Sequence, residues 1–281
     1  MLRATVEQEE QAWWLLLDMR VSAKALFLGG GAYIGAAMTA FQYYTVGQAK
    51  DHRDQDRLCD AGVSGISGEI SEKQRRDAFD KGALKYDEEI GTDELVMGLP
   101  LLRRYLCWSA RGRVAEIAAG TGRNFKYYNF DKVSVTACDC SDNMVNVAKQ
   151  KLSMMDIPKG RATCYVMDAE KLQFEDNTFD TVVDTFGLCS FEDPVRVLKE
   201  MQRVCKPGGQ ILLLEHGKSH YDWLNRILDS NANKHAERWG CIWNRPIEDI
   251  LQESGLGVTS LSRIHFGTTY IIKGRKTLSD A

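Results

Sequence analysis

The stretch Val114-Ala-Glu-Ile-Ala-Ala-Gly-Thr-Gly-Arg-Asn-Phe125 constrains this chain more than any other. It reads as a buried strand that ends in an acidic residue and a glycine turn and then enters a helix. An α/β fold builds a nucleotide pocket in this way, at the carboxyl end of its first strand. A dinucleotide fingerprint, G-x-G-x-x-G, would place glycine at 118, 120 and 123, whereas the chain has Ala118, Gly120 and Arg123. Arginine at the third position removes the close helix-to-strand packing and the simple pyrophosphate seat that the last glycine permits. The expected ligand is therefore one without a pyrophosphate.

The residues that follow repeat the pattern. A second strand over Lys132–Cys138 ends in Asp139, where a carboxylate can accept both hydroxyls of a ribose. A third, Ala162–Met167, ends in Asp168-Ala169-Glu170, and a fourth, Phe179–Thr185, is followed by Phe186-Gly-Leu-Cys-Ser190. Pro194–Cys205 has Val195, Val197, Leu198, Met201 and Val204 at helical spacing and stops at Lys206-Pro-Gly-Gly209. A fifth strand, Gln210–Leu214, ends in Glu215-His216; Pro246–Glu253 is a short helix; Val258–Phe266 and Thr268–Lys273 read as antiparallel final strands. Upstream, Ser71 is placed to cap a helix, and Leu99–Trp108 is a helix leading into the first strand. The predicted fold is α/β: a doubly wound, Rossmann-like seven-stranded sheet with an antiparallel last strand.

This order of motifs resembles the class I S-adenosylmethionine-dependent methyltransferases, and the run L-K-E-M-Q-R-V-C-K-P-G-G-Q-I-L-L-L-E-H-G is similar to the type 11 subgroup. Their motif I, E/D-x-G-x-G-x-G, is matched by Glu116-Ile-Ala118-Ala-Gly120-Thr-Gly122, with alanine replacing the first glycine at the cost of one methyl group of clearance. The resemblance implies S-adenosylmethionine as cofactor, clasped by Glu116 and Asp139. Met144 of Asp139-Cys-Ser-Asp-Asn-Met144 would lie against the adenine, and Asp168 with the adjacent backbone of Ala169 would meet its amino edge. Thr185 ends the fourth strand beside the same site, and Tyr86, in a Y-D segment, would help to close it. The helical insertion Tyr221–Trp243, with His220, Trp223, His235, Trp239 and Trp243, would cover the acceptor pocket, its aromatics packing beneath a lid.

The amino-terminal part has a different character. Residues 25–49 carry no charge between Lys24 and Lys50, and about twenty apolar residues span a bilayer core. Small residues recur at Gly31, Gly35 and Thr39 and at Ala32, Ala36 and Ala40, the spacing that lets membrane helices approach closely. The segment is expected to be a single transmembrane helix packed against another protein; a buried hydrophobic hairpin or soluble-core helix is the alternative. Glu7, Glu9, Glu10 and Asp18 argue against a cleavable signal. Basic residues balance on the two sides, so charge sets no orientation. Residues 1–24, with Trp13 and Trp14, form an amphipathic segment; 50–70 form a connector expected to contact a partner; 71–281 are the catalytic-type domain. In organisation the chain is similar to membrane-anchored methyltransferase-like proteins, including those of the fungal mitochondrial inner membrane and the animal anchored thiol methyltransferases. That implies a mitochondrial inner-membrane location.

Formal net charge of -3 gives no footprint for nucleic acid. Eight cysteines without a C-x-x-C pair give no zinc spacing and suit a reducing compartment, so no metal is expected. An activated sulfonium methyl asks a protein mainly to align the acceptor and exclude water, so no catalytic triad is expected, and His216 and His220 are pocket-wall residues before they are bases. Two functions remain open: methyl transfer to a small or lipophilic acceptor, or a methyltransferase fold retained as a structural or assembly subunit of a mitochondrial membrane complex.

Overall fold

A computed structural model describes residues 72–276 of the chain. The three amino-terminal segments inferred above lie outside the described residues, as does Ser71. Among the described residues no helix is long and apolar enough to cross a membrane.

Three helices precede the sheet: α1 (Glu72–Gly82), α2 (Tyr86–Val96) and α3 (Leu99–Trp108). Then come β1 (Gly112–Ile117), β2 (Val133–Asp139), α4 (Asp142–Met154), β3 (Ala162–Val166), β4 (Phe179–Thr185), α5 (Pro194–Val204) and β5 (Cys205–His216). The chain ends with α6 (Asp222–Trp239), α7 (Ile247–Ser254), β6 (Gly257–Ile264) and β7 (Thr269–Arg275). The seven strands form one sheet in the order β3-β2-β1-β4-β5-β7-β6. β1 to β5 are parallel, and β7 runs antiparallel to both β5 and β6. The order reverses between β1 and β4, so the crevice at the strand tips opens there.

Strand residues alternate between two cores, as a sheet covered on both faces requires. Ala115, Ile117, Val182, Ile211 and Leu213 pack with Val197, Leu198 and Met201 of α5 and Ile247, Ile250 and Leu251 of α7. Val114, Val135, Val183, Leu212 and Leu214 pack on the opposite face with Leu106 of α3 and Val145 and Ala148 of α4. Local signals fix the helix starts. The Ser141 hydroxyl accepts from Met144 N (3.1 Å) to cap α4, and the Asp193 carboxylate accepts from Arg196 N (2.9 Å) ahead of Pro194 in α5.

Two expectations are corrected. The glycine turn does not enter an α-helix: only a 3₁₀ turn, Phe125–Tyr127, forms before β2. Gly122 and its neighbours turn the chain inward, burying Phe125, Tyr128 and Phe130 while Asn124 bonds to Glu116, and this side-chain anchoring replaces a helical ladder. The Lys206–Gly209 segment is not a turn before β5 but a bulge within it. Cys205 pairs with Phe179 and Gln210 with Thr181 across a register shift, and Gly208 takes φ +74°.

Candidate functional site

The tips of β1 and β2 meet at the glycine turn. Ala119 N donates to Cys138 O (2.9 Å), tying the turn to β2. Asp139, the last residue of β2, accepts from Gly120 N through one oxygen and from Ser141 N through the other, each at 2.9 Å. Its carboxylate is thus held at the lip of the turn with lone pairs left for further donors. Burial raises its pKa, and the two backbone N–H groups offset part of that shift.

Space over the turn is tested by the glycines themselves. Gly120 has φ +54°, and a Cβ built on it would meet no atom within 4 Å. Gly122 has φ +77°, but a Cβ there would lie 2.3 Å from the Phe125 ring. Gly120 leaves a cradle open for a ligand, whereas Gly122 is glycine for packing. Ala118, the departure from motif I, stands at φ 49°, so alanine costs left-handed backbone strain as well as a methyl group. Ala118→Gly is expected to raise unfolding free energy by about 0.5–1 kcal/mol, the relief of left-handed strain less the extra freedom of the unfolded chain; urea denaturation checks this.

Glu116 lies beneath the turn, 1% exposed. One oxygen accepts from Asn124 Nδ2 at 3.0 Å, and the buried Tyr128 hydroxyl lies within hydrogen-bonding reach of the carboxyl. Burial pushes its pKa up to about 7. A carboxyl that holds its proton more tightly when folded than when unfolded adds stability at low pH and loses it as pH rises towards the folded value. Without ligand, unfolding free energy is therefore expected to fall by about 2 kcal/mol between pH 5 and 6.5 on account of this group. Glu116→Gln should flatten that part of the profile in urea melts taken across the range; an unchanged slope would remove Glu116 as its source.

The other expected residues are distributed as follows. Met144 is buried at the start of α4, beside Ser141, whose hydroxyl is also hydrogen-bonded to Asp80 of α1. Asp168 is exposed beyond β3, where it caps a 3₁₀ turn by accepting from Glu170 N (2.9 Å), and Ala169 is buried. Thr185 Oγ1 accepts from Arg103 (2.8 Å) and Asn124 (3.0 Å), which wires the β4 tip to Glu116 through Asn124. Tyr86 opens α2 and packs edge-on to Phe79; burial, then Glu94, raises its pKa.

Residues that sequence reasoning missed hold the site together. Arg103, 5% exposed, donates to Glu94 (2.7 Å) and Asn124 (3.0 Å) as well as Thr185, and its guanidinium lies 5.1 Å from the centre of the Phe186 ring. Arg123 donates to Glu94 (2.7 Å) and Asp87 (3.1 Å), and Lys151 of α4 pairs with Asp87. Asp87 also accepts from Thr121 Oγ1 at 2.7 Å. Burial by itself would raise the Glu94 and Asp87 carboxyls, but Arg103 and Arg123 around Glu94, and Lys151 beside Asp87, hold both below the usual range. The network clamps α2, with Tyr86 at its start, onto the glycine turn.

At the tips of β4 and β5 the chemistry changes. Asp184 and Glu215 are fully buried, and Asp184 lies so close to Gly187 that a Cβ there would sit 2.2 Å from its Oδ1. Burial pushes both carboxyls well up, aided at Asp184 by Cys189 and at Glu215 by Asp184. His216 Nε2 lies 2.8 Å from Cys241 Sγ, and the imidazole packs 5.4 Å from Phe186 between ring centres. His220 is exposed and packs against Tyr221, 4.1 Å between ring centres, while His235 stacks on Trp243 at 4.0 Å. The His220 ring also backs onto Gly267, so both histidines are engaged in packing in this region.

The residues present fit an adenosyl sulfonium amino acid: an open glycine cradle over Gly120 and a carboxylate, Asp139, fixed at the β2 tip beside it with lone pairs to spare. Comparisons agree. The family model described as "Methyltransferase domain" matches residues 115–213. The protein "Methyltransferase OMS1, mitochondrial" of Saccharomyces cerevisiae is 36% identical over 214 residues, covering 70% of this chain and 45% of its own length. The "Ubiquinone/menaquinone biosynthesis C-methyltransferase UbiE" of Shewanella sediminis is 33% identical over 186 residues, covering 63% of this chain and 73% of its own. Thus the chain spans less than half of the yeast relative and about three quarters of the bacterial one. In fold, the chain is similar to a structure of the Haloferax volcanii Trm112 methyltransferase activator in complex with a methyltransferase. The TM-score is 0.57 at 17% identity, over 72% of this chain and 96% of that one.

Proposed function

Since this chain belongs to the class I S-adenosylmethionine-dependent methyltransferases, with S-adenosylmethionine as its cofactor, we propose that it transfers the cofactor's methyl group to a small or lipophilic acceptor while anchored in a membrane. The observation that carries the transfer reading is the open cradle over Gly120 beside the carboxylate of Asp139. When bound there, the cofactor supplies an electrophilic methyl on sulfur. The protein's own work is to hold the ribose at Asp139, to cover the turn with α2 and Tyr86, and to exclude water from the strand tips.

The acceptor reading rests on the relatives' chemistry and on residues 25–49. One relative's name specifies C-methylation in quinone biosynthesis, and the yeast relative's name places it in mitochondria. An apolar segment of that length beside the domain would keep it near membrane-dissolved acceptors. These observations support a mitochondrial, inner-membrane enzyme whose partners reach it through the apolar segment and the connector.

Calorimetry on the full chain tests the cofactor site. Wild type is expected to bind S-adenosylmethionine, and Asp139→Asn to bind it about ten to a hundred times more weakly, the worth of one charge-assisted hydrogen bond. Binding that is absent, or indifferent to the substitution, would overturn the site. Transfer is tested by incubating the protein with methyl-labelled cofactor and mitochondrial lipid extract. Label in the organic phase supports an enzyme acting on a lipophilic acceptor; tight cofactor binding without label in lipid or aqueous acceptors would favour the structural-subunit reading.

A further inference from the structure

We propose that Cys189, His216 and Cys241 form a binding site for a thiophilic divalent cation, Zn²⁺ in the first instance, with one coordination position left open. Sequence spacing gave no hint of this, because the three residues are 27 and 25 positions apart. The fold brings them together. Cys189 follows the β4 tip, His216 ends β5, and Cys241 follows α6, whose last turn stops at Gly240 in the left-handed conformation. Ile242 N donates to Cys189 O (2.9 Å), so the two cysteine segments are stitched together by backbone.

The two sulfurs and an imidazole nitrogen all lie within 4.8 Å of one another. Tetrahedral Zn²⁺, with Zn–S of about 2.3 Å and Zn–N of about 2.0–2.1 Å, needs donor atoms roughly 3.6–3.8 Å apart. Side-chain adjustments of about an ångström, opening the 2.8 Å His216–Cys241 pair and closing any wider one, reach that geometry. Two cysteines and one histidine are the donor set of a three-ligand zinc centre, whose fourth position takes water or an ionisable ligand. The cysteines are 1% and 7% exposed and His216 is half-buried, so the approach to such a position runs along the histidine.

A second observation points the same way. Asp184 and Glu215, both fully buried, lie within electrostatic reach of Cys189 and are near enough to share a hydrogen bond with each other when one of them is protonated. Two thiols and two carboxyls concentrated in one dry region favour a divalent cation among them. Binding would replace the thiol protons, releasing up to two per ion. Tyr86, on the helix that covers the glycine turn, is within electrostatic reach of both cysteines, so the centre would adjoin the cofactor seat without being part of it.

The test uses the full chain, stripped with chelator and then given Zn²⁺ or Co²⁺ alone. One equivalent of Zn²⁺ per chain is expected, with two of the eight cysteines protected from thiol reagents. The Co²⁺ form should show the intense visible bands of a tetrahedral ion together with thiolate charge-transfer absorption. Cys189→Ser and Cys241→Ser, checked for folding by circular dichroism, should each weaken uptake by a hundredfold or more and lose part of the charge-transfer band. No stoichiometric uptake, cobalt spectra without thiolate bands, or uptake that persists in the double variant would overturn the proposal. The wild-type spectrum decides even if the variants fail to fold. Calorimetry with S-adenosylmethionine on the metal-free protein reports separately on the cofactor site, so failure of one reading is not failure of the other.

Discussion

Replacing Arg103 with methionine is expected to lower unfolding free energy by about 3–5 kcal/mol, the usual cost of removing one partner from a buried charge network. Methionine keeps much of the side chain's apolar volume, so the loss reports on the guanidinium. That guanidinium touches α2 through Glu94, the loop after β1 through Asn124 and the β4 tip through Thr185, at 2.7, 3.0 and 2.8 Å. Without it, Glu94 keeps Arg123 alone as a cation partner among the described residues, and Asn124 Oδ1 loses the Arg103 donor in a region where Asn124 is 1% exposed. Glu94→Gln in the same background should recover part of the loss by removing the charge left behind, a coupling read from the double-mutant cycle. Urea denaturation of the four proteins measures both quantities. A loss below about 1 kcal/mol would place Arg103 with solvent-exposed ion pairs and deny that the network clamps α2.

How much of this was legible in the sequence depends on range. β4 was found to the residue, and β2 and β3 to within one residue, because their inward positions carry apolar side chains that pack on the covered faces of the sheet; β5 was found only in its apolar centre, since Lys206-Pro-Gly-Gly209 reads locally as a turn. The placement of Asp139 at the β2 tip and of Gly120 in the turn beside it was legible because the switch point of a doubly wound sheet puts a carboxylate and a glycine at strand ends. Arg103 left a signal that was passed over: it shares an apolar face with Leu99, Leu106 and Cys107, at spacings of four and three, where a cation must find a buried acid. Which acid was not legible, since its partners lie 9, 21 and 82 residues away. The same holds for Cys189, His216 and Cys241, joined only by the closure of β4 against β5 and the return of the chain after α6. The missing helix after the glycine turn has a local cause. Phe125, Tyr128 and Phe130 are buried anchors at spacings of three and two, which a 3₁₀ turn and an extended exit satisfy and an α-helix does not.

The sharpest separation of fold from function lies two residues apart. Gly120→Val is expected to leave the domain folded, at a cost of about 1–2 kcal/mol for an L-residue in the left-handed region, because a Cβ at φ +54° meets no protein atom within 4 Å. The same side chain would occupy the space over the turn, so affinity for S-adenosylmethionine should fall by more than about a hundredfold, or roughly 2.7 kcal/mol. Gly122→Ala should do the reverse. Its Cβ would sit 2.3 and 2.5 Å from two carbons of the Phe125 ring, and Phe125 is 1% exposed in the core beneath the turn, with no room to retreat. Overpacking and left-handed strain together predict a loss of about 2–5 kcal/mol, with cofactor affinity reduced only as far as the turn is displaced. Thermal melts and calorimetry on the two variants give the four numbers needed. Normal binding by a folded Gly120→Val protein would move the cofactor away from the turn. Full stability of Gly122→Ala would mean that Phe125 is free to leave its seat, and with it the reason this loop forgoes a helix.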